Sequence, residues 1–412
     1  MTSPPVTEAT DSLSSGQGAF LDNERAAMPA AVRPTFAHVN LGAVRANYQA
    51  VLSYVRSRDI EPVVIAVVKA NGYGHGAVAV ARVLEAAGAE MLACADIEEG
   101  VELRRGGVLI PILVFGALSM GDLDGIFTHD LTPTVSSPAA ARALKDAATR
   151  RGTCASCHLK IDTGMNRLGF RFDNLGQTVP DVVRGSGLDI AAVYTHFATA
   201  DDQAHPLFDL QNARFEEALG RLAELGVQPR FRHAANSAAL LRDQATWYDG
   251  VRPGLLLYGL NPPGCLHPLS LMPALTLRSR VVAVKGMRVG ETAGYGAQCP
   301  VTRPTTVAGV PAGYADGLDV RLAGRSSVLV RGRLAPVVGA VSMDSITIDV
   351  TGLEVAPGDE VVLVGSQAGN RISVEEVAAA IGTVPYEILC RTGSRIGRRY
   401  EDGVNPALAN TE

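Results

Sequence analysis

The feature that most constrains the fold is an eightfold alternation of two hydrophobic patterns between Val63 and Leu260. Short runs rich in β-branched residues, typical of buried strands, alternate with stretches that carry apolar residues at helical spacing. Eight such units in about 200 residues predict a (β/α)8 TIM-type barrel, with a doubly wound open sheet as the alternative. The predicted strands are residues 63–68, 91–95, 110–115, 131–135, 157–162, 190–195, 230–233 and 247–252.

The hydrophobic pattern changes after Met272. Beyond it, β-branched runs are separated by Gly, Pro and Asp turns, and only residues 372–382 have helical spacing. The sequence therefore predicts an α/β protein whose barrel precedes a mostly β domain. Residues 34–41 are assigned to the barrel, with pairing to the β domain as the alternative. The predicted division is a flexible tail over 1–33, a barrel over 34–271, a mostly β domain over 272–405 and a second tail over 406–412.

Composition narrows the class of partner. The chain has 412 residues, 47% of them hydrophobic, and a formal net charge of −5. It has enough apolar mass for large cores and lacks the basic surplus expected of a nucleic-acid-binding protein. No apolar run reaches about 18 residues, so no membrane span is predicted. The first 33 residues lack the positive and apolar regions of a signal peptide, which predicts a cytoplasmic protein.

The six cysteines predict no metal site. Cys154 and Cys157 form one C-x-x-C pair, but a zinc site normally needs a second pair of ligands at suitable spacing, and the sequence offers none. We therefore expect structural, reduced thiols, as in most cytosolic enzymes.

Lys69 is the first candidate catalytic residue. It follows the first predicted barrel strand in VVKANGYGHG, and the carboxyl ends of barrel strands carry the active site in this fold. Burial there would disfavour the ammonium form and leave the neutral amine that attacks an aldehyde to form a Schiff base. An ordinary surface lysine at a strand end is the alternative, and position alone does not choose between them.

A phosphate site is the second candidate. HAANSAA (233–239) follows predicted strand seven, and RPG (252–254) follows predicted strand eight. In this fold, the loops after these two strands and a short helix N-terminus often bind phosphate. The Ser237 hydroxyl and the amides around Gly254 are therefore candidate ligands. Taken separately, both segments are also ordinary turn signals.

Together, these and other segments resemble the alanine racemase family. The resemblance implies a barrel followed by a β domain, pyridoxal 5′-phosphate (PLP) as the cofactor, and interconversion of L- and D-alanine for peptidoglycan synthesis. It also implies a homodimer whose active sites are shared between subunits. The matches extend over about residues 34–400 and are, in order, VVKANGYGHG, HLKIDTGMNRLGF, YTHFATAD, HAANSAA, VRPGLLLYG, GYGAQ, GYADG, SMD and VPYEILC.

The resemblance assigns two acid/base groups. Lys69 matches the lysine that holds PLP covalently and acts as one base, and Tyr295 of GYGAQ matches a second base contributed by the partner subunit. To invert a stereocentre, a proton must leave one face of a planar carbon and return to the other, so two groups on opposite faces suit the reaction. A free tyrosine has a pKa of about 10, so such a base needs neighbours that stabilise its phenolate. His196 of YTHFATAD matches a histidine bonded to this tyrosine.

The resemblance also assigns the residues that bind PLP. Arg252 matches the arginine facing the pyridine nitrogen. A guanidinium stays charged and has only donors, so it cannot help protonate that nitrogen, which we expect to limit side transamination. The implied cofactor-binding set is Lys69, Tyr73, His196, Asn236, Ser237, Arg252, Gly254, Leu255 and Tyr386.

Substrate contacts are implied on both subunits. Arg167 matches an arginine near the substrate carboxylate, and Lys160 matches a lysine that is carbamylated in some members, where the resulting anion orients Arg167. From the partner subunit, Met343 and Asp344 of SMD match residues that border the position of the substrate carboxylate. Tyr314 of GYADG matches a residue at the mouth of the site.

Three alternatives remain open. Ala340 and Ser342 stand in GAVSMD where many relatives read GRICMD. Losing that arginine would widen or neutralise the mouth, which favours a broad-specificity or serine racemase, because one added hydroxyl changes affinity only modestly in a small apolar pocket. A non-catalytic PLP-binding protein would end near residue 260, and GYGAQ and SMD argue against it. A barrel decarboxylase or D-threonine aldolase would need other catalytic partners, and the cysteine motif of the decarboxylases is not found around Cys299 or Cys390.

Overall fold

The computed structural model describes most of the chain. The two predicted tails lie outside the described residues, except for Arg33. The described residues are 33–57, 61–118, 123–184, 187–265, 268–297 and 299–402.

The strands and helices follow the two sequence patterns. The strands are β1 (Phe36–Asn40), β2 (Val63–Val67), β3 (Met91–Cys94), β4 (Ile112–Val114), β5 (Thr132–Val135), β6 (Ala155–Asp162), β7 (Phe170–Arg171), β8 (Leu188–Tyr194), β9 (Phe231–Asn236), β10 (Gly250–Arg252), β11 (Leu275–Arg280), β12 (Ala283–Met287), β13 (Thr305–Val310), β14 (Ser327–Val330), β15 (Arg333–Val338), β16 (Ile346–Asp349), β17 (Glu360–Gln367), β18 (Asn370–Ile372) and β19 (Gly397–Glu401). The helices are α1 (Leu41–Arg56), α2 (Lys69–Tyr73), α3 (Ala77–Ala86), α4 (Ile97–Arg105), α5 (Asp124–Thr128), α6 (Pro138–Arg150), α7 (Leu175–Thr178), α8 (Pro180–Val183), α9 (Leu207–Glu224), α10 (Ser237–Arg242), α11 (Val374–Ile381) and α12 (Pro385–Cys390).

Eight parallel strands close into a barrel. Their order is β5-β4-β3-β2-β10-β9-β8-β6, and β5 also pairs with β6, which completes the ring. Each of the eight predicted strands corresponds to one of these, so the predicted barrel is confirmed and the open sheet is excluded. The strands are apolar because both faces are covered: Ile65, Leu92 and Leu113 are fully buried.

The barrel helices begin where the sequence carries capping residues. Asn40 accepts a hydrogen bond from the amide of Ala43 at the start of α1, and Ser137 accepts one from Ala140 at the start of α6. Within the described part of the chain, no helix has both the length and the hydrophobicity to cross a membrane.

A second, ten-stranded sheet follows the barrel. Its order is β12-β13-β16-β15-β14-β17-β11-β1-β19, with β18 paired to β17. The N-terminal strand β1 lies in this sheet, antiparallel to β11 and parallel to β19. The barrel therefore sits between two parts of the chain that pair with each other. Its last strand ends at Arg252 and β11 begins at Leu275, an interval that contains the predicted boundary near residue 272.

The described part of the second domain has two α-helices, α11 and α12, where the sequence predicted one helix. Helix α11 begins with a capping box in which Ser373 and Glu376 each bond the other's amide. Helix α12 was missed, because its six residues are too few to establish a period. It packs beside α2, where the carbonyl of Leu389 occupies the space that a Cβ on Gly74 would need. This contact brings the β domain against the segment that carries Lys69.

Candidate active site

A cavity of about 440 Å³ opens at the carboxyl ends of the barrel strands. This volume is within the usual range of small-molecule sites, about 300–1,000 Å³. The predicted site residues that line the cavity come from the barrel strands, the turns after them and α12. They are Lys69, Tyr73, Lys160, Arg167, His196, Asn236, Ser237, Arg252, Gly254, Leu255 and Tyr386.

Lys69 begins a left-handed turn at the end of β2. Ala70, Asn71, Gly72 and Tyr73 have φ values of 52°, 53°, 61° and 51°. Left-handed geometry costs residues with a Cβ roughly 1–2 kcal/mol each, so this turn is held by its surroundings rather than by local preference. Burial lowers the pKa of the Lys69 amine, and the Arg167 guanidinium lowers it further. Both effects increase the fraction of neutral, nucleophilic amine.

Arg252 is the buried centre of a hydrogen-bond network. Its side chain donates to the carbonyl oxygens of Thr195 and Ala234, each at 2.8 Å. It also contacts Nδ1 of His233 at 2.8 Å and Nδ1 of His196 at 3.1 Å. Burial lowers the pKa of Arg252 to about 10, which still leaves the guanidinium charged near neutrality.

These contacts determine the tautomers of three histidines. Because Arg252 has only donors, Nδ1 of His233 and Nδ1 of His196 must accept. His233 then carries its proton on Nε2, which lies 3.1 Å from Nδ1 of His158 and donates to it. Burial and the Arg252 charge lower the pKa of His196 well below its usual value, so the ring is neutral. His196 therefore presents an Nε2–H donor.

Two basic side chains lie close to the ring of Tyr194 on the cavity wall. The Lys160 Nζ is 5.5 Å and the Arg252 guanidinium carbon 5.3 Å from the centre of its ring, distances at which a cation and an aromatic face attract. Burial, followed by the charges of Arg167 and Arg252, lowers the pKa of Lys160 to about 8. About one tenth of Lys160 is therefore neutral at pH 7, and the rest is the cation.

Neutral polar groups line the part of the cavity around Gly254. The amide of Gly254, after β10, donates to the hydroxyl oxygen of Ser237, after β9, at 2.9 Å. The Tyr73 hydroxyl approaches the Gly254 backbone so closely that a Cβ at position 254 would overlap it. Asn236 caps α10 by accepting from the Ala239 amide at 2.9 Å, which fixes the turn into Ser237. The hydroxyls of Ser237 and Tyr73 thus lie together where no carboxylate among the described residues lines the cavity, an arrangement suited to an anion.

Four predicted site residues do not line this cavity. Tyr295, Tyr314, Met343 and Asp344 all lie on the second domain. Their side chains are exposed: 77% for Tyr295, 52% for Met343 and 45% for Tyr314. Asp344 is 64% exposed and pairs with Arg395 at 2.7 Å.

The four exposed residues belong to adjoining segments. The amides of Tyr314 and Ala315 donate to the carbonyls of Ser342 and Met343, each at 3.0 Å. The turn before Tyr295 packs against the segment that follows β15, since a Cβ on Gly294 would lie 2.9 Å from the amide nitrogen of Ala340. The four exposed side chains therefore lie on adjoining segments of the second domain, and we call this group of four residues the exposed patch.

Comparison with known proteins decides the family. The family models described as alanine racemase, N-terminal domain, and alanine racemase, C-terminal domain, match residues 39–262 and 274–400. The chain belongs to the alanine racemase family. The alanine racemase of Symbiobacterium thermophilum is 44% identical over 371 residues, covering 90% of this chain and 97% of the relative. That of Desulforamulus reducens is 43% identical, covering 89% and 99%.

Solved alanine racemase structures have the same architecture. The crystal structure of the Bacillus anthracis enzyme with bound L-Ala-P superimposes with a TM-score of 0.84 at 36% identity, covering 90% of this chain and 95% of that one. The match to the C-terminal domain of alanine racemases argues against a single-barrel PLP-binding protein.

Sequence reasoning missed several residues of the cavity wall. Three of them, Ala95, Phe115 and Tyr194, lie at or near the ends of strands that the sequence did predict, so the rule that barrel strand ends form the site would have found them. His233 was in a quoted motif but received no role. The missed lining residues are Val67, Ala70, Ala95, Phe115, Gly116, Leu168, Tyr194 and Cys390.

Proposed function

We propose that this chain is a PLP-dependent racemase that interconverts L- and D-alanine by two-base proton transfer and supplies D-alanine for peptidoglycan. The observation that carries the proposal is a single cavity that holds an amine of lowered pKa, Lys69, together with a separate cluster of anion-binding donors around Gly254. Family membership supports the reaction class. A cytoplasmic location stays a prediction from the sequence.

The residues of the cavity fit PLP. The hydroxyls of Tyr73 and Ser237 would hold the phosphate beside the backbone of Gly254, and the close approach of Tyr73 to Gly254 leaves no space for a larger residue at position 254. Arg252 would face the pyridine nitrogen as a donor. When bound, PLP withdraws electrons from the substrate Cα and so lets its proton leave. Lys69 is placed to condense with the aldehyde and afterwards to remove or return a proton on one face.

The second proton carrier in this proposal is Tyr295 of the partner subunit. Within its own chain Tyr295 is largely exposed and does not line the cavity. A homodimer in which the exposed patch of one subunit closes the cavity of the other would bury Tyr295, Tyr314 and Met343. The exposure of these three large side chains on adjoining segments supports the dimer, since exposed apolar surface often belongs to an interface.

His196 has the protonation state that a tyrosine base requires. Its Nε2–H is a donor, because Arg252 occupies its Nδ1. A hydrogen bond from this donor to the Tyr295 oxygen of the partner subunit would stabilise the phenolate over the phenol. Arg252 would thus donate a hydrogen bond to the cofactor and, through its contact with His196, help to stabilise the phenolate of the second base.

Arg167 is the proposed contact for the substrate carboxylate, and Lys160 its modifiable neighbour. The neutral amine of Lys160 can bond to the carbon of CO₂ and lose a proton to solvent, which gives a carbamate anion. With a pKa of about 8, the neutral fraction rises from about one tenth at pH 7 to about nine tenths at pH 9. The anion would attract Arg167, whereas the ammonium repels it.

We expect carbamylation of Lys160 to be visible by carbon NMR. Protein equilibrated with ¹³C-bicarbonate should show a carbamate resonance whose intensity increases between pH 7 and pH 9. Lys160→Arg should lose the resonance, and Lys145→Arg, on the outer helix α6, should keep it. A resonance that survives in Lys160→Arg, or no resonance at any pH, would refute this assignment.

Substrate preference is the experiment that tests the proposed function. We expect the purified enzyme to racemise L-alanine with a higher kcat/KM than L-serine or L-lysine, by about tenfold or more. Because arginine is absent at position 340, the broad-specificity alternative stays open, and the same assay decides between the two. A higher kcat/KM for serine or lysine would overturn the assignment to alanine.

A further inference from the structure

The amine of Lys69 lies at the start of a turn whose backbone conformation is unfavourable without contacts from the surrounding structure. Gly74, at φ 80°, continues the positive values of residues 70–73, so five consecutive residues are left-handed. Such a turn is stable only where the surroundings fix it. The contacts made by the backbone groups of this turn therefore determine where the amine can be.

Glu99, in the first turn of α4, provides one of these contacts. One oxygen of its carboxylate accepts the amide of Ala70, the residue after Lys69, at 2.7 Å. The other oxygen accepts the amide of Ala95 at 2.7 Å. Ala70 follows β2 and Ala95 follows β3, which is the neighbouring strand of the barrel. A single half-buried carboxylate thus joins the ends of two strands beside Lys69.

Other groups fix the rest of the turn. Asn71 accepts the amide of Ala77 at 2.9 Å, and Arg398 of β19 donates to the carbonyl of Gly74 at 3.1 Å. His75 contacts the carbonyl of Tyr73 at 2.9 Å through Nδ1. These groups hold Asn71 and the residues after it. Glu99 holds the amide of Ala70, the residue next to Lys69.

From this geometry we infer that Glu99 is a positioning residue: by bridging the amides of Ala70 and Ala95 it sets the direction from which the Lys69 amine reaches the cofactor aldehyde. The inference rests on the proposed function, in which Lys69 condenses with that aldehyde and releases water. A carboxylate suits the bridge because both of its oxygens accept. The amide of a glutamine would instead present an N–H group to one of the two backbone N–H groups.

The charge of Glu99 acts on the same amine. The other groups that face Lys69 electrostatically are Arg167, Cys390 and Arg252; the two arginines lower its pKa, whereas Glu99 and Cys390 raise it. A test must therefore separate the effect of Glu99 on the position of the Lys69 amine from the effect of its charge on the pKa of that amine. Glu99→Gln keeps the length and removes the charge, and Glu99→Asp keeps the charge but is one methylene shorter, too short to span both amides.

The test compares binding with covalent capture in apo-enzyme. Pyridoxine 5′-phosphate, which lacks the aldehyde, reports binding alone, and the rate at which PLP gains a borohydride-trappable bond to Lys69 reports the position of the amine. We expect both Glu99 variants to form this bond about 10- to 100-fold more slowly, because small misplacements of a reacting group have effects of this size. Affinity for pyridoxine 5′-phosphate should stay within about twofold. Glu98→Gln, an exposed carboxylate in the same helical turn, is the matched control and should behave as wild type.

Each other outcome has a definite meaning. If Glu99→Gln captures PLP at the wild-type rate, the inference is wrong while the proposed function stands. If Glu99→Asp restores the wild-type rate, charge rather than the bridge is responsible, and the inference is again wrong. An equal loss of pyridoxine 5′-phosphate affinity would make Glu99 a structural residue only, which also overturns it. If the wild-type protein itself forms no bond at Lys69, the proposed function fails first.

Discussion

Lys69→Ala is expected to lower kcat for L-alanine by at least about 10⁴-fold, because it removes both the covalent attachment of the cofactor and one of the two proton carriers. The measurement is the rate at which D-alanine forms from L-alanine with saturating PLP. Lys145→Ala, on the outer helix α6, is the matched control and should retain wild-type kcat. A Lys69→Ala enzyme within about tenfold of wild type would contradict the assignment of this residue.

Borohydride reduction locates the same lysine directly. The chain has four lysines, Lys69, Lys145, Lys160 and Lys285, so peptide mapping distinguishes every possible attachment site. We expect the label on Lys69. Attachment to Lys160, which lines the same cavity and has a pKa of about 8, would reverse the roles of the two lysines.

Tyr295→Phe is expected to lower racemisation by about 10²- to 10⁴-fold, the usual contribution of one acid/base group. Lys69 remains in this variant, so proton exchange on one face should persist. In D₂O, one enantiomer of alanine should therefore acquire deuterium at Cα with retention of configuration, whereas the other should exchange far more slowly. Tyr54→Phe, on α1 and outside the cavity, should leave both rates unchanged. Equal loss of exchange for both enantiomers would argue against a base on each face.

Local patterns predicted much of the fold and a small part of the site, and the resemblance to a family supplied the other predicted site residues. The eight barrel strands appear in the sequence because each is a short apolar run bounded by turn signals, and their ends predicted where Lys69 and Ser237 would meet. The capping box of α11 likewise lies within a few residues. Patterns of this kind involve residues that are neighbours in sequence, so they can be recognised without knowledge of the tertiary structure.

Other features depend on contacts between distant segments. The left-handed turn after Lys69 contains Ala70 and Tyr73, residues with no preference for positive φ, and it is held by Glu99 and by Arg398 from the other end of the chain. The tautomer of His196 follows from its contact with Arg252 and from nothing local. In the proposed dimer, side chains on the exposed patch, such as Tyr295, would act in the site of the other subunit, and local patterns in one sequence do not show a contact between chains.

The shared site can be tested most directly with a hybrid dimer. Lys69→Ala and Tyr295→Phe chains carrying different tags are co-expressed, and the doubly tagged species is isolated. If each site takes Lys69 from one subunit and Tyr295 from the other, one of the two sites in the hybrid is complete, and activity should return to about half that of the wild-type dimer. A hybrid as inactive as its parents would contradict the account, because it would mean that both residues act within one chain.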